Sequence, residues 1–592
     1  MIMIKIIFLL LLNSLCFSEC RSVYSLYGQP KYLPTFSHYD YVNPNAPKQG
    51  RLVQSSIGSF DTLNQFVPQG IPAAGLSYLY DTLMVRPDDE PDSQYGLVAQ
   101  CIELSDDQKT LIFRLDPNAK FHDGVSIQAE DVVWTFNTLL KKGDPRYKLY
   151  YRDVKAVKAQ DRNTVIFTLS DTHNQDLIFA IGGLPVLPKH FWDHQSFTKA
   201  DLTVPLGSGP YQVKDFKVNS DITYSRVKDY WAANHPTRKG QFNFDELKWV
   251  YFKDDTVAFE AFKSHLYDLR VEHRSKLWAT GYQGPAVESG EIIKEEIMNR
   301  EPQGMQGFVF NFRRPIFKDR QVRKAIALAF DFNWVNSQLF YSQYQRASSY
   351  YNNSHLAAGA VISPHELTIY NQLDHQLPEE FFVSPVVIND PENEAQMRDQ
   401  LLRAAKLLDD AGWVIENGWR VNKITGERLI FEILITQASF ERVILPYQEH
   451  LKRLGIDVVI RKVGPSEYVN RIRSFDFDMT TTVFRANLNP GNELFDYWSS
   501  KSANVMGSGN ISGIADARLD QLIQLVMEAK TRDELEHRVR ALDRLLMWEY
   551  IVVPQWYLDI HRVAYWNSLL RPEISPDFDL GLMTWWSKDN LK

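Results

Sequence analysis

Cysteine is scarce here: Cys16, Cys20 and Cys101 are the only three in 592 residues, and no Cys-x-x-Cys pair occurs. A chain of this size does not need a disulfide framework, and without that spacing the thiols suggest no zinc or redox motif. Positive charge is in deficit. Lys and Arg number 65 against 73 Asp and Glu, for a formal net charge of −8. With no long basic block, the chain lacks the electrostatic footprint of a nucleic-acid binder or a membrane-surface anchor. Beyond the N-terminus no apolar run reaches the roughly 18 residues that a membrane span requires. Internal repeats and low-complexity segments are absent. So are the usual enzyme signatures, namely a Gly-x-Ser-x-Gly elbow, a His-Glu-x-x-His helix and His-x-x-His clustering. Gly507-Ser508-Gly509 with Gly513 follows no clear strand, has the wrong spacing for a dinucleotide loop and reads as a plain loop. These absences leave no catalytic residue, no metal ligand and no cofactor to expect, so the chain reads as a non-enzyme.

The N-terminus carries Lys5 and then Ile6–Leu15, nearly all apolar, with small or polar residues around Phe17–Cys20. This is a signal-peptide pattern too short to cross a bilayer. Removal after Ser18 leaves Cys20 free to pair with Cys101, whereas removal after Cys20 leaves Cys101 alone. Neither Cys16 nor Cys20 has a lipoprotein-type context. A length of 592 residues exceeds what one core supports, and the remainder alternates strand and helix patterns. Thr110–Leu115 alternates as a strand and is followed by a loop. A helix from about Ala129 then carries a Val132, Val133, Phe136, Leu139, Leu140 stripe, with Glu130 and Asp131 in its first turn. Gly307–Phe312 alternates again, and Asp319 caps a helix bearing Val322, Ala325 and Ile326. Leu429–Thr436, Phe440–Leu454 and Ile456–Val463 read as a strand–helix–strand unit with a parallel pairing, Gly455 ending the helix in left-handed geometry and Pro446 kinking it or marking its first turn. Asp516 caps a further helix, and Ile551–Tyr557 is strand-like.

The motifs lie in a telling order. Phe60-Asp61-Thr62-Leu63-Asn64 precedes Tyr80-Asp81-Thr82-Leu83. Phe113-Arg114-Leu115 leads to Lys120-Phe121-His122-Asp123-Gly124 and Ala129-Glu130-Asp131-Val132. Gly207-Ser208-Gly209-Pro210-Tyr211, Asp229-Tyr230-Trp231, Phe310-Asn311 and Asp319-Arg320-Gln321-Val322-Arg323-Lys324-Ala325 follow. From about Gly50 to Trp586 this order resembles the large peptide- and nickel-binding proteins (family 5) that serve ABC transporters. Arg346-Ala347-Ser348-Ser349-Tyr350-Tyr351-Asn352-Asn353-Ser354 and Pro490-Gly491-Asn492-Glu493 are similar to the Yej-type branch, which is linked to uptake of oligopeptides and the peptide antibiotic microcin C.

The resemblance implies an α/β periplasmic binding protein-like fold (cluster C, type II), with two lobes joined by a hinge and an inserted subdomain in the first. The expected division is a signal peptide at 1–20, lobe I at 21–74 and 191–302 around an insertion at 75–190, lobe II at 303–548, and a return to lobe I at 549–592. The implied function is capture of an oligopeptide between the lobes and delivery to the ABC permease in the inner membrane, by a periplasmic monomer without a lipid anchor and without nucleic acid as partner. The alternatives are a binder of nickel, haem or an oligosaccharide on the same fold, a secreted hydrolase, or an exported chaperone-like binder. Most family motifs read as structural: Phe121, Asp123 and Gly124 as a turn, Val132 and Trp134 as packing. The ligand candidates are polar and aromatic residues between elements, namely Ser55, Phe60 and Asn64; Arg346, Ser348, Tyr350 and Tyr351; and Arg485, Asn487, Asn489, Glu493, Asp496 and Trp498, the last group on a loop. Each also has a bland reading as a solvated or structural side chain, and Trp585-Trp586 reads as core before cleft wall. One departure stands out. Dipeptide- and oligopeptide-binding relatives carry an aspartate four residues before the equivalent of Pro490, where it pairs with the ligand's α-ammonium. Here that position is Ala486.

Overall fold

The computed structural model describes residues 19–170, 176–383 and 390–588. The expected leader at 1–20 lies outside them apart from its last two residues. Alternation over Thr110–Leu115 yields a strand whose Leu111, Phe113 and Leu115 are fully buried. It belongs to a four-stranded antiparallel sheet in the order Ala99–Leu104, Thr110–Leu115, Thr164–Leu169, Val154–Asp161. The turn that follows closes with Gly124 N–H donating to Phe121 O at 3.0 Å, and Gly124 sits at φ +85°, where a side chain would be strained. The helix Ala129–Lys142 then packs Phe136 against Phe167 with ring centroids 5.5 Å apart. Gln128 stands at its N-cap, and Asp131 Oδ2 accepts the Gln128 backbone N–H at 2.9 Å, so a first-turn carboxylate satisfies an end that lacks a Ser or Thr cap.

A second sheet pairs Arg51–Ile57 in parallel with Glu246–Phe252 and continues antiparallel through Asp221–Arg226 and Tyr211–Lys217. Cys20 and Cys101 form a disulfide, and beside it Arg21 and Ile102 exchange backbone hydrogen bonds of 3.0 and 2.9 Å. The C-terminal pair Leu569–Leu570 and Trp586–Ser587 forms a small antiparallel ladder. Asn243 Nδ2 donates to the carbonyls of Thr584 and Trp585 at 3.0 and 3.1 Å, and Trp585 is buried as core.

The other part is built on a five-stranded sheet in the order Asp457–Lys462, Ile430–Ile435, Met479–Phe484, Met305–Phe310, Val552–Pro554. The first two pairings are parallel and the last two antiparallel. The expected strand–helix–strand unit is present, with its helix at Glu441–Arg453 and Gly455 at φ +80°. Pro446 lies inside that helix, beyond its first turn, where it has no N–H to give the Arg442 carbonyl. Asp319 Oδ1 accepts the Gln321 N–H at 2.7 Å, which fixes the start of Arg320–Leu328. Phe308 and Tyr447 stack at 5.7 Å, and Phe330 meets Tyr447 edge-on at 5.5 Å. Each such fully buried apolar or aromatic side chain contributes about 1.5–3 kcal/mol by burial.

Two compact units result. One is Met1–Arg270 with Trp566–Ile574 and Gly581–Lys592, and the other is Val271–Tyr565 with Ser575–Leu580. No described helix is long and apolar enough to cross a membrane.

Candidate functional site

The candidates divide between the units, with Ser55, Phe60 and Asn64 in the first and the rest in the second. Ser55 lies mid-strand, opposite Val250. Phe60 is buried against Phe216 and Tyr251, at 6.2 and 5.2 Å. Asn64 is buried too; its Nδ2 donates to Phe197 O at 2.8 Å and its Oδ1 accepts the Phe66 N–H at 3.0 Å, which shapes the chain around it. The side chains of Phe60 and Asn64 are thus engaged in packing and local hydrogen bonds.

In the second unit two segments come together on one aromatic cluster. The strand Met479–Phe484 delivers Phe484, and Arg485–Gly491 follow as coil. Glu493, Asp496 and Trp498, read above as loop residues, instead form a short helix, Glu493–Trp498. Its single apolar ridge is the reason: Leu494 and Trp498 sit one turn apart and are both buried. Trp498 packs on Phe484 at 4.4 Å and on Tyr350 at 5.1 Å, the latter at 83°. Such aromatic pairs add about 0.5–1.5 kcal/mol beyond area burial. Asn487 Nδ2 donates to Glu493 Oε1 at 2.9 Å, Glu493 Oε2 accepts Gly491 N–H at 3.1 Å, and Asp496 Oδ2 accepts Gly509 N–H at 3.0 Å. Arg485 is exposed, and among the described residues no hydrogen bond or ion pair engages its side chain. Ser348 is exposed while its backbone N–H donates to Asn352 Oδ1 at 2.9 Å. Tyr350 and Tyr351 are buried; the Tyr350 hydroxyl finds no partner among the described residues, and burial drives both phenols well above their ordinary pKa.

Arg346 is held apart from this cluster. It stacks near Phe330 and Phe332 at 5.3 and 5.4 Å, and its Nε lies 3.4 Å from Asp390 Oδ2. Burial lowers the Arg346 pKa and raises that of Asp390, each shift opposed by the other's charge. Both line a shallow cavity of about 640 Å³. A larger one, about 900 Å³, opens beside Trp334, Met397, Pro446 and His450 and touches none of the candidates. Size alone therefore does not locate the site. No group of three or more metal-ligating side chains converges among the described residues.

Sequence reasoning missed the residues that hold the two segments in place. On the long helix Arg532–Trp548, Arg532 Nη1 donates to Leu488 O at 2.8 Å and to Asn489 Oδ1 at 2.7 Å. Asp543, fully buried, accepts from Ser349 Oγ at 2.7 Å, Tyr350 N–H at 2.6 Å and Ala358 N–H at 2.8 Å. The signal was an ion-pair-like Asp543-Arg544 embedded in the apolar run 541–548, since buried charges require partners.

Residues 93–505, spanning the 346–351 and 485–498 segments, match the family model described as bacterial extracellular solute-binding proteins, family 5. The chain belongs to that family. Within it, this family 5 solute-binding protein is of the YejA type. It is 41% identical to YejA of Escherichia coli (strain K12) over 564 residues, covering 95% of this chain and 93% of that one. It is 39% identical over 580 residues to a probable peptide-binding protein YejA of Agrobacterium fabrum, covering 96% and 94%. Among solved structures, the oligopeptide-binding protein AppA of Bacillus subtilis, in complex with a nonapeptide, superposes with a TM-score of 0.64 at 20% identity, covering 92% of this chain and all of that one. That likeness establishes the shared mixed α/β fold of the periplasmic peptide-binding proteins.

Proposed function

We propose that this chain is the periplasmic solute-binding protein of an ABC importer, capturing oligopeptides and handing them to the permease. The observation that carries this reading is the near full-length match to relatives, one of them described as a probable peptide-binding protein. The second-unit segments support it chemically. A captured peptide loses water from its amides and ends, and protein groups must replace those hydrogen bonds. Arg485, Ser348 and Asn487 are exposed polar groups on the segments that the buried cluster of Tyr350, Phe484 and Trp498 holds together. A free guanidinium such as Arg485 suits a terminal carboxylate in bidentate fashion.

Ala486 offers no counter-charge to an α-ammonium, whose burial without one is costly. The preferred ligands are therefore N-blocked peptides, microcin C-like ones included, or peptides whose amine is held elsewhere. Export is part of the same proposal: the leader is removed after Ser18, because removal after Cys20 would strip Cys101 of its disulfide partner.

Calorimetry and thermal shift with a panel of matched free and N-formylated peptides of three to nine residues test this. Binding stabilises the folded chain by mass action. The expected result is binding of several peptides without a penalty for formylation, with every peptide recovered intact by mass spectrometry. A clear preference for the free amine would overturn the N-blocked assignment. Binding by no member, or cleavage, would overturn the function itself.

A further inference from the structure

A guanidinium taken out of water needs protein acceptors for its N–H groups. Two enclosed arginines of the second unit meet that need. Arg323 donates to the carbonyls of Phe317, Lys318 and Glu549 at 2.8, 2.9 and 2.7 Å. Arg544 donates to Glu366 Oε1 at 3.0 Å and Gly359 O at 2.9 Å. Arg346 departs from this pattern. Its side chain is 11% exposed, yet Nε and Nη1 have no hydrogen-bond partner among the described residues. Asp390, whose side chain is 10% exposed, leaves Oδ1 equally without a donor. Both side chains line the cavity of about 640 Å³, so unmet donors and an unmet acceptor stand together in its wall.

The charges narrow what can complete this pair. A simple anion on the guanidinium would stand against the Asp390 carboxylate, and a simple cation on the carboxylate would stand against Arg346. A group that carries acceptor oxygens and an ammonium side by side answers both, as the head of an α-amino acid does. The adjoining space selects the side chain. The cavity shares Asn333, Asn336 and Glu392 with its neighbour of about 900 Å³, a volume ordinary for a small-molecule site. Asp331, Glu392, Glu394 and Glu449 line that neighbour, and none of them is in an ion pair among the described residues. Arg453 is the one lysine or arginine beside them, and burial holds the His450 imidazole below its ordinary pKa, neutral at pH 7. Trp334, on the helix Phe332–Phe340, lines the same space and is 45% exposed. Carboxylates in excess beside an indole suit an organic cation.

We propose that the two joined cavities form a second ligand site within the second unit, one that takes a free cationic α-amino acid. Arg346 receives the α-carboxylate and Asp390 the α-ammonium. The side chain extends past Glu392 into the acidic space, where its charge meets Glu392 and Glu394 and the Trp334 indole. This site is apart from the Tyr350–Phe484–Trp498 cluster and does not depend on the peptide reading.

Calorimetry on the full mature chain with L-lysine, L-arginine, norleucine, glutamate and lysinamide tests this. Lysine and arginine should bind in a saturable way, about tenfold or more tighter than norleucine, which lacks the side-chain ammonium, and than lysinamide, which lacks the carboxylate. Glutamate should not bind. Glu392→Gln with Glu394→Gln, both exposed positions, should weaken lysine about tenfold and leave norleucine unmoved, a difference that a merely structural role would not produce. Arg346→Met with Asp390→Leu should abolish lysine binding; if that variant fails to fold, the glutamate pair still decides. Absence of lysine binding, equal binding of norleucine, or lysine affinity unmoved in the Glu392/Glu394 variant would overturn the proposal. Saturating peptide should leave lysine affinity unchanged, and competition would place the amino acid in the peptide site instead. If lysine binds as expected while no peptide does, the function reading fails and this assignment stands.

Discussion

At the scale of single residues, charge burial decides most of what is distinctive. Arg346 and Asp390 form a nearly enclosed pair whose contact is ionic and not a well-aligned hydrogen bond; Arg346 Nε and Nη1 and Asp390 Oδ1 are buried without hydrogen-bond partners among the described residues. Removing one member strands the other, so Asp390→Ala should destabilise the chain by about 3–5 kcal/mol in urea unfolding. The double change Arg346→Met with Asp390→Leu should recover most of that loss, because an apolar pair of similar volume avoids the desolvation penalty. A double variant as unstable as the single one would show that Arg346 is needed for more than its charge partner. Peptide calorimetry on the double variant locates Arg346: unchanged peptide affinity places it outside the peptide site.

At the scale of elements, the legible parts were those governed by local periodicity and end chemistry. The strand Thr110–Leu115, the Asp319 cap and the Gly455 terminator follow from side-chain spacing, from a capping carboxylate and from the residue type that adopts positive φ without strain. At Gly455 the demand is double, since an added Cβ would also meet Ile415 Cδ1 at 2.7 Å. Gly455→Ala should therefore cost about 1–2 kcal/mol from backbone strain alone, and more from the clash, seen as a lower denaturation midpoint. Peptide affinity should stay unchanged, Gly455 being no part of the site. The short helix Glu493–Trp498 escaped sequence reasoning because Pro490-Gly491 signals a loop, and six residues give periodicity little to work on. Its existence depends on Trp498 finding Phe484 and Tyr350, contacts that no local pattern announces.

At the scale of the molecule, connectivity matters more than any one element. The chain passes between its two units after Arg270, and the C-terminal residues Trp566–Ile574 and Gly581–Lys592 are grouped again with the first. Within that unit the Cys20–Cys101 bridge closes a loop with a sequence separation of 81 residues. By chain entropy such a closure stabilises by about 4 kcal/mol, so Cys101→Ser or reduction should lower the melting temperature measurably. Free-thiol titration of the mature, unreduced protein should find no reactive cysteine. One thiol per chain would mean that the leader is cut after Cys20 and the bridge does not form.

The sequence by itself determined the class of the molecule: a mixed α/β chain of more than one core, with the ordered motifs of family 5. It did so because composition, periodicity and caps act over a few residues and are written in order. Only the tertiary structure decided which candidates are buried in packing, such as Phe60 and Asn64, and which are left exposed, such as Arg485. It also revealed Asp543, whose role comes from donors nearly two hundred residues away in sequence. A buried charge is defined by what surrounds it, and those surroundings exist only once distant segments have packed together.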